Sequence, residues 1–297
     1  MQGRIIVIGG PTASGKTKLA IEIAQILGTE IINADSRQIY KELNIAVAKP
    51  SAQELDSVRH HFVSAVSIHH HFSAGDYEKQ GQETLKLLLK NYNSAVICGG
   101  TGMYIKALLE GLDDFPEIDL DLRDSIEKSY QENGLEHLNA QLLAIDPDAA
   151  NWVKINNPSR VKRSLELVLQ TGKALSEIYN KKLTIPNDAT IEHYCIDMQR
   201  DKLYSRINER VDMMVKDGLI EEARNLFQYK DLKALQTVGY TELFDSFEGH
   251  FSENDAVNKI KQHTRNYAKR QITWFKNQFS SKWLAPNEII DTIFAKQ

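Results

Sequence analysis

The chain has 297 residues, 42% of them hydrophobic and 26% charged, with 16 Gly, 7 Pro and a formal charge of −4. That composition excludes disordered, collagen-like and coiled-coil chains, and no apolar run reaches the roughly 20 residues of a membrane span. Two cysteines, Cys98 and Cys195, form no C-x-x-C pair, which argues against a disulfide framework or zinc ribbon and fits a reducing cytoplasm.

Arg4–Ile8 reads as a short buried strand running into Gly9-Gly10, too short for the core of a signal peptide. Thr17–Leu27 follows with helical periodicity, then a second strand at Glu30–Asn33 ending in Ala34-Asp35-Ser36. Ala74–Lys90 is helical, and Ala95–Cys98 is a third strand leading into Gly99-Gly100-Thr101-Gly102. Short apolar strands alternating with helices predict a parallel α/β sheet covered on both faces. Beyond Gly111 an acidic stretch (Asp113, Asp114, Asp119, Asp121, Asp124) surrounds Pro116, and helical patterns follow at Leu120–Glu132, Leu135–Ala144 and Ser159–Gln170. Asn157 and Pro158 supply the third with a cap and a first-turn proline, and Gly172 ends it. A strand returns at Glu192–Ile196. From Asp201 the chain reads as helical almost to its end, with a long element from Glu253 to Asn277. The expected organisation is a sheet core of residues 1–113 and 194–297, interrupted by an all-helical insertion at 114–193.

Gly10-Pro11-Thr12-Ala13-Ser14-Gly15-Lys16-Thr17 matches G-x-x-x-x-G-K-[ST] between a strand and a helix, the context this phosphate loop requires. The glycines let backbone N–H groups turn toward phosphate oxygens, and the helix N-terminus adds its dipole. Lys16 supplies a point charge, and the Thr17 hydroxyl can ligate Mg²⁺. The D-x-x-G and N-K-x-D motifs of a switch GTPase are absent, whereas a small-molecule kinase stays open. Asp35 stands at the carboxyl end of a parallel strand, the edge that faces ligands. It reads as a general base, an outer-sphere Mg²⁺ partner or a helix cap. Gly99–Gly102 repeats the strand-then-glycine design and opens on the same edge, so the two turns together suggest a clamp on a diphosphate. His60, His61, His69, His70 and His71 have no acidic residue or Cys at ligand spacing and read as solvated loop histidines, or as one histidine hydrogen-bonded to the crevice, rather than a metal site.

Between Ala256 and Asn287 there is no acidic residue, while Lys259, Lys261, Arg265, Lys269, Arg270, Lys276 and Lys282 are basic. Lys261, Arg265 and Lys269 share one helical face, and Ile260, Tyr267 and Trp274 are expected toward the core. Arg160, Lys162 and Arg163 form a second basic cluster. Positive charge interleaved with aromatics fits nucleic-acid backbone contact; a solvated face is the alternative.

These segments (Gly9–Thr17, Ala34–Tyr40, Lys49-Pro50, His60-His61, Gly99–Tyr104, Arg160–Glu166, Leu203–Asn208, Val238–Tyr240 and Thr264–Phe275) together resemble the bacterial tRNA dimethylallyltransferases. The resemblance implies a P-loop NTPase-like parallel sheet flanked by helices, with an all-helical insertion domain. It implies transfer of a dimethylallyl group from dimethylallyl diphosphate to N6 of the adenosine 3′ to the anticodon, by a monomer using Mg²⁺. Gly10 to Thr17 would hold the diphosphate. Asp35, Thr101, Lys16 and Arg206 would be catalytic, with Asp35 orienting N6 and taking its proton. The anticodon loop of tRNA would meet Asp35, Ser36, Arg37, Gln38 and Thr101 at the crevice. Arg123, Ser159, Arg160, Val161, Lys162 and Arg163 would grip it from the insertion, and Gly239, Tyr240, Lys261, Arg265, Lys269 and Arg270 from the core. One departure is Ala46-Val47-Ala48, where the family usually carries Gly-Thr-Ala. Rival readings are prenyl transfer to free AMP or ADP, which leaves the basic elements unexplained, a nucleotide kinase, and an RNA-binding ATPase.

Overall fold

The computed structural model describes residues 3–113, 115–116, 119–179 and 189–295; Asp114 of the acidic stretch lies outside them. Contacts divide the chain into two units, Met1–Glu110 with Ile185–Gln297, and Gly111–Thr184. The returning strand spans Thr190–Ile196, so the chain is back in the sheet before residue 194.

In the first unit, chain order gives β1 (Arg4–Gly9), α1 (Lys16–Leu27), β2 (Ile31–Asn33), α2 (Ala52–Ser57), β3 (His60–His61), α3 (Ala74–Tyr92), β4 (Ser94–Cys98) and α4 (Gly102–Glu110). The second unit contributes α5 (Leu120–Ile145), α6 (Pro158–Thr171) and α7 (Leu175–Ile178). The first unit then resumes with β5 (Thr190–Ile196), α8 (Arg200–Lys216), α9 (Leu219–Leu226), α10 (Thr241–Phe247), α11 (Glu253–Gln278), β6 (Lys282–Leu284) and α12 (Pro286–Phe294). The strands run in the order β3-β2-β4-β1-β5-β6, and every pairing is parallel.

Along β1 the side chains alternate between two cores. Ile5 and Val7 pack with Leu85 of α3, Leu108 of α4 and Phe275 of α11. Ile6 and Ile8 pack with Leu19 and Ile23 of α1 and Ile289 and Ile293 of α12. Burial on both faces is why β1 and β4 read as unbroken apolar runs rather than alternating ones. Two strands were not expected. His60 and His61 pair with Ile31 and Ile32 at one edge, and Lys282–Leu284 pairs with Tyr194–Ile196 at the other. Segments this short carry no readable period, and a neighbour's free backbone groups recruit them. A third core joins α8 to α11 around Leu43, Val211, Leu219, Tyr240, Leu243 and Ile260.

In the second unit, α5 breaks at Gly134 (φ 77°, ψ −176°), so the two expected helical patterns are two helices meeting at a kink. Asn157 caps α6 by accepting from the Arg160 N–H, Pro158 occupies its first turn, and Gly172 ends it in the left-handed region. Ile126, Leu138, Leu142, Leu165 and Val168 form the core of this unit together with Val161. Val161 is fully buried, which corrects its expected place on an RNA-binding surface.

Because the strands are parallel, the turns after β1, β2 and β4 open on one edge of the sheet. The backbone fixes the spacing of two of them: the Ala34 N–H donates to Cys98 O (2.7 Å), and the Thr101 N–H donates to Ala34 O (3.0 Å). A Cβ on Gly99 would lie 2.1 Å from Ala34 O, a backbone atom that cannot swing aside. Among the described residues no helix is long and apolar enough to cross a membrane. Gly99→Ala is expected to cost about 1–3 kcal/mol through overpacking. A thermal melt should show a drop of several degrees, and an unchanged midpoint would mean that the two turns are not rigidly coupled.

Candidate functional site

The loop from Gly10 to Thr17 closes between β1 and α1, with Gly15 at φ 100° just before the helix. The Ser14 hydroxyl (2.9 Å) and Lys16 Nζ (2.6 Å) both donate to Pro11 O, so one carbonyl ties the two ends of the loop. Burial draws the Lys16 ammonium down to a pKa of about 8. The Thr17 hydroxyl lines the crevice and has no hydrogen-bond partner among the described residues.

The phosphate loop and the turn after β4 are joined by one side chain of α11. Gln271 Oε1 accepts from the Thr12 N–H (2.8 Å), and its Nε2 donates to Gly100 O (2.9 Å), both from a buried position. They enclose a crevice of about 860 Å³ into which Lys16, Thr17, Asp35, Arg206, Arg210 and Tyr267 project.

Asp35 does two things at once. Its Oδ1 accepts from the N–H groups of Arg37 (2.9 Å) and Gln38 (3.2 Å), the work of a cap. Its Oδ2 has no partner among the described residues, and the residue lines the crevice. Thr101 stands behind the wall: its Oγ1 accepts from the Ser36 N–H (3.0 Å), and it bonds the Tyr267 hydroxyl. Ser36 and Tyr267 are the residues that face the space. Tyr267 is therefore at the crevice rather than in the core, and burial pushes its hydroxyl up to about 12. Arg37 and Gln38 line the space while bracing its walls. The Arg37 guanidinium donates to the carbonyls of Lys233, Ala234 and Gln236, and the Gln38 amide to those of Val47 and Ala48.

Arg206 is placed as expected, and Arg210 accompanies it. Arg210 Nη1 donates to Thr12 Oγ1 (3.3 Å) and makes no ion pair among the described residues. Burial, and then the neighbouring Arg206, lower its pKa. A half-buried, desolvated guanidinium without a carboxylate calls for an anion. Its spacing of four residues from Arg206, one helical turn, was the readable signal.

The expected basic face of α11 divides. Lys261 pairs with Asp212 (2.6 Å) and Arg265 donates to Asn208 Oδ1 (2.7 Å), so both are spent on holding α8. Lys269 and Arg270 are exposed, the latter over the Tyr267 ring. Gly239 lines the crevice, but Tyr240 is fully buried and its hydroxyl donates to Glu222 Oε1 (2.7 Å), which removes it from any RNA surface. In the helical unit Glu166 takes Arg123 in a two-pronged contact (2.8 and 3.0 Å) and also Arg163 (2.8 Å), while Glu127 takes Lys162 (2.6 Å). The second basic cluster is thus mostly neutralised within its own unit; Ser159 and Arg160 remain exposed. His60 and His61 make up the edge strand β3, from which His61 bonds Glu30 (2.6 Å) and His60 bonds Val58 O (2.8 Å), so these two are not loop histidines.

The sequence model of the family described as IPP transferase matches residues 38–278. The chain is 43% identical over 294 residues to the tRNA dimethylallyltransferase of Christiangramia forsetii, covering 99% of this chain and 97% of that one. Against that of Cytophaga hutchinsonii the identity is 41% over 287 residues, covering 97% and 94%. The crystal structure of the full-length tRNA isopentenylpyrophosphate transferase of Bacillus halodurans superposes with a TM-score of 0.73 at 33% identity, covering 99% and 97%. A eukaryotic dimethylallyltransferase acting on tRNA superposes with a TM-score of 0.81 at 26% identity, covering 99% of this chain and 77% of that one.

Lys16 is charged below a pH of about 8 and loses its proton above it. An anion in the loop prefers the charged form, so the advantage of Lys16 must shrink as pH rises. Titrating inorganic pyrophosphate calorimetrically into wild type and Lys16→Met should show a large affinity gap at pH 7 that narrows by pH 9.5. The absence of a gap at pH 7 would mean that Lys16 does not meet the anion.

Proposed function

The chain belongs to the IPP transferase family, whose curated relatives are tRNA dimethylallyltransferases, and we propose that its crevice moves the dimethylallyl group of dimethylallyl diphosphate onto N6 of the adenosine 3′ to the anticodon. The observation that carries this reading is the juxtaposition in one crevice of a phosphate loop, a second glycine turn and the free Oδ2 of Asp35.

The step is a displacement. The N6 lone pair attacks the allylic carbon, the C–O bond to the diphosphate breaks, and the N6 proton passes to Asp35 Oδ2. A carboxylate is a weak base for an amine, but that proton becomes acidic as the C–N bond forms. Lys16, the loop N–H groups, Arg206 and Arg210 lie where negative charge grows on the departing diphosphate. The unpartnered Thr17 hydroxyl fits a divalent cation, taken here as Mg²⁺, which when bound neutralises the diphosphate further. Thr101 acts through Ser36 and Tyr267, as a positioning residue. The adenine leaves the stack of the anticodon loop to enter. Lys269 and Arg270 beside the crevice, and Ser159 and Arg160 on the helical unit, offer exposed contacts for the RNA. We take the enzyme to act as a monomer in the cytoplasm, where the free buried thiols of Cys98 and Cys195 stay reduced.

Incubation with unmodified tRNA, AMP, Mg²⁺ and radiolabelled dimethylallyl diphosphate, followed by nucleoside analysis, should yield N6-isopentenyladenosine in the tRNA; label on free AMP instead would move the reading to a nucleotide prenyltransferase. Asp35→Asn keeps an oxygen for the two N–H caps but loses the base. Turnover should fall by about 10²–10⁴-fold while dimethylallyl diphosphate affinity stays near normal, and near-normal turnover would reduce Asp35 to its capping role. Charge reversal at Lys269 and Arg270 should weaken tRNA binding and flatten the salt slope of log K by about 0.7–0.9 for each phosphate no longer neutralised. A fluorescence titration at three salt concentrations measures this, and an unchanged slope would remove these residues from the RNA path.

A further inference from the structure

Glu242 lies in the first turn of α10 and is almost completely buried. A buried carboxylate is costly unless its oxygens are bonded, and both are. Oε2 accepts from the Gly239 N–H (2.8 Å), with the Thr241 hydroxyl 3.1 Å away. Oε1 is 2.6 Å from Nδ1 of His263, which reaches in from α11. The cap of α10 explains Oε2. It does not explain why the other oxygen is committed to a histidine on a different helix.

The consequence falls on the ring. A carboxylate accepts only, so Nδ1 carries the proton and the ring is fixed in one tautomer and one orientation. His263 is half-exposed and lines the crevice, on the same face of α11 as Tyr267, Arg270 and Gln271. Its Nε2 has no protein partner among the described residues. In the neutral ring that nitrogen is an acceptor and recognises a donor.

We propose that His263, oriented by Glu242, is an RNA-reading residue of the crevice whose Nε2 accepts a hydrogen bond from the bound RNA. This rests on the reading of the crevice as a tRNA site. Two RNA groups share the required chemistry, a ribose 2′-hydroxyl and a base N–H. Phosphate has only acceptors and would meet only a doubly protonated ring, a charged contact that the salt slope reveals. Dimethylallyl diphosphate likewise has no donor to offer, so this contact belongs to the RNA alone, and Glu242 is a positioning residue.

The test uses a fluorescent anticodon stem-loop and the full chain. Wild-type binding checks the crevice reading independently; its absence would defeat that reading and this one together. With wild type binding, His263→Ala should weaken the stem-loop by about three- to tenfold and leave dimethylallyl diphosphate affinity unchanged, which also shows that the variant is folded. His263→Gln, which returns an acceptor at the place of Nε2, should recover most of the loss. The salt slope should be the same for all three proteins, because a neutral contact displaces no counterion. Stem-loops with single 2′-deoxy or amine-lacking base substitutions should include one that binds wild type and His263→Ala equally, and which kind it is identifies the donor. Equal affinity of His263→Ala and wild type, a flattened slope in the variant, or a His263 effect that survives every substitution would overturn the proposal.

Discussion

The site depends on one buried amide. Gln271 presents an acceptor and a donor in opposite directions, and takes the Thr12 N–H with one and the Gly100 carbonyl with the other. A turn buried without such a partner would leave backbone groups unpaired at a cost of about 1–3 kcal/mol each. The fit is close: a Cβ on Gly100 would lie 2.2 Å from the Gln271 amide nitrogen, and one on Gly9 would lie 2.4 Å from the ring of Phe275, one helical turn further along α11. The spacing of the two anion-facing turns is therefore set by a helix that lies about 170 residues or more later in the chain. Any motion of α11 is transmitted to both.

Charge is distributed by the same economy. Away from the crevice, several cations on α5, α6 and α11 are matched: Arg123 and Arg163 by Glu166, Lys162 by Glu127, Lys261 by Asp212. Inside it, Lys16 and Arg210 are desolvated and unmatched by any carboxylate contact among the described residues. Such groups raise the free energy of the empty protein and lower that of the complex with an anion. That is the preorganised electrostatic arrangement a departing diphosphate requires. Asp35, whose carboxylate shares the crevice with these cations, is held by two N–H donors, so its free oxygen has a fixed direction.

Some features were legible because they are local. A strand, eight residues of loop chemistry and a helix fixed the phosphate cradle, and β-strand runs punctuated by glycine fixed the parallel sheet. Asn157, Pro158 and Gly172 delimited α6 to within a residue or two. The break at Gly134 fell between two apolar periods. The edge strands β3 and β6 were not legible, since two or three residues hold no period and their pairing is decided by the partner.

The order of residues was enough to specify which chemistry is present: a phosphate loop, a carboxylate at a strand end, arginines and a long basic helix. Only the folded arrangement settles which of those groups are free to act. Lys261 and Lys269 are both lysines on one predicted face, yet Asp212 occupies the first and leaves the second exposed. Tyr240 and Tyr267 look alike in composition, yet one is sealed beneath Glu222 and the other walls the crevice. Availability is a property of the partner, and partners here lie on different elements. Periodicity reports only the face of the element it belongs to, so it can name a residue's side of a helix but not what stands opposite.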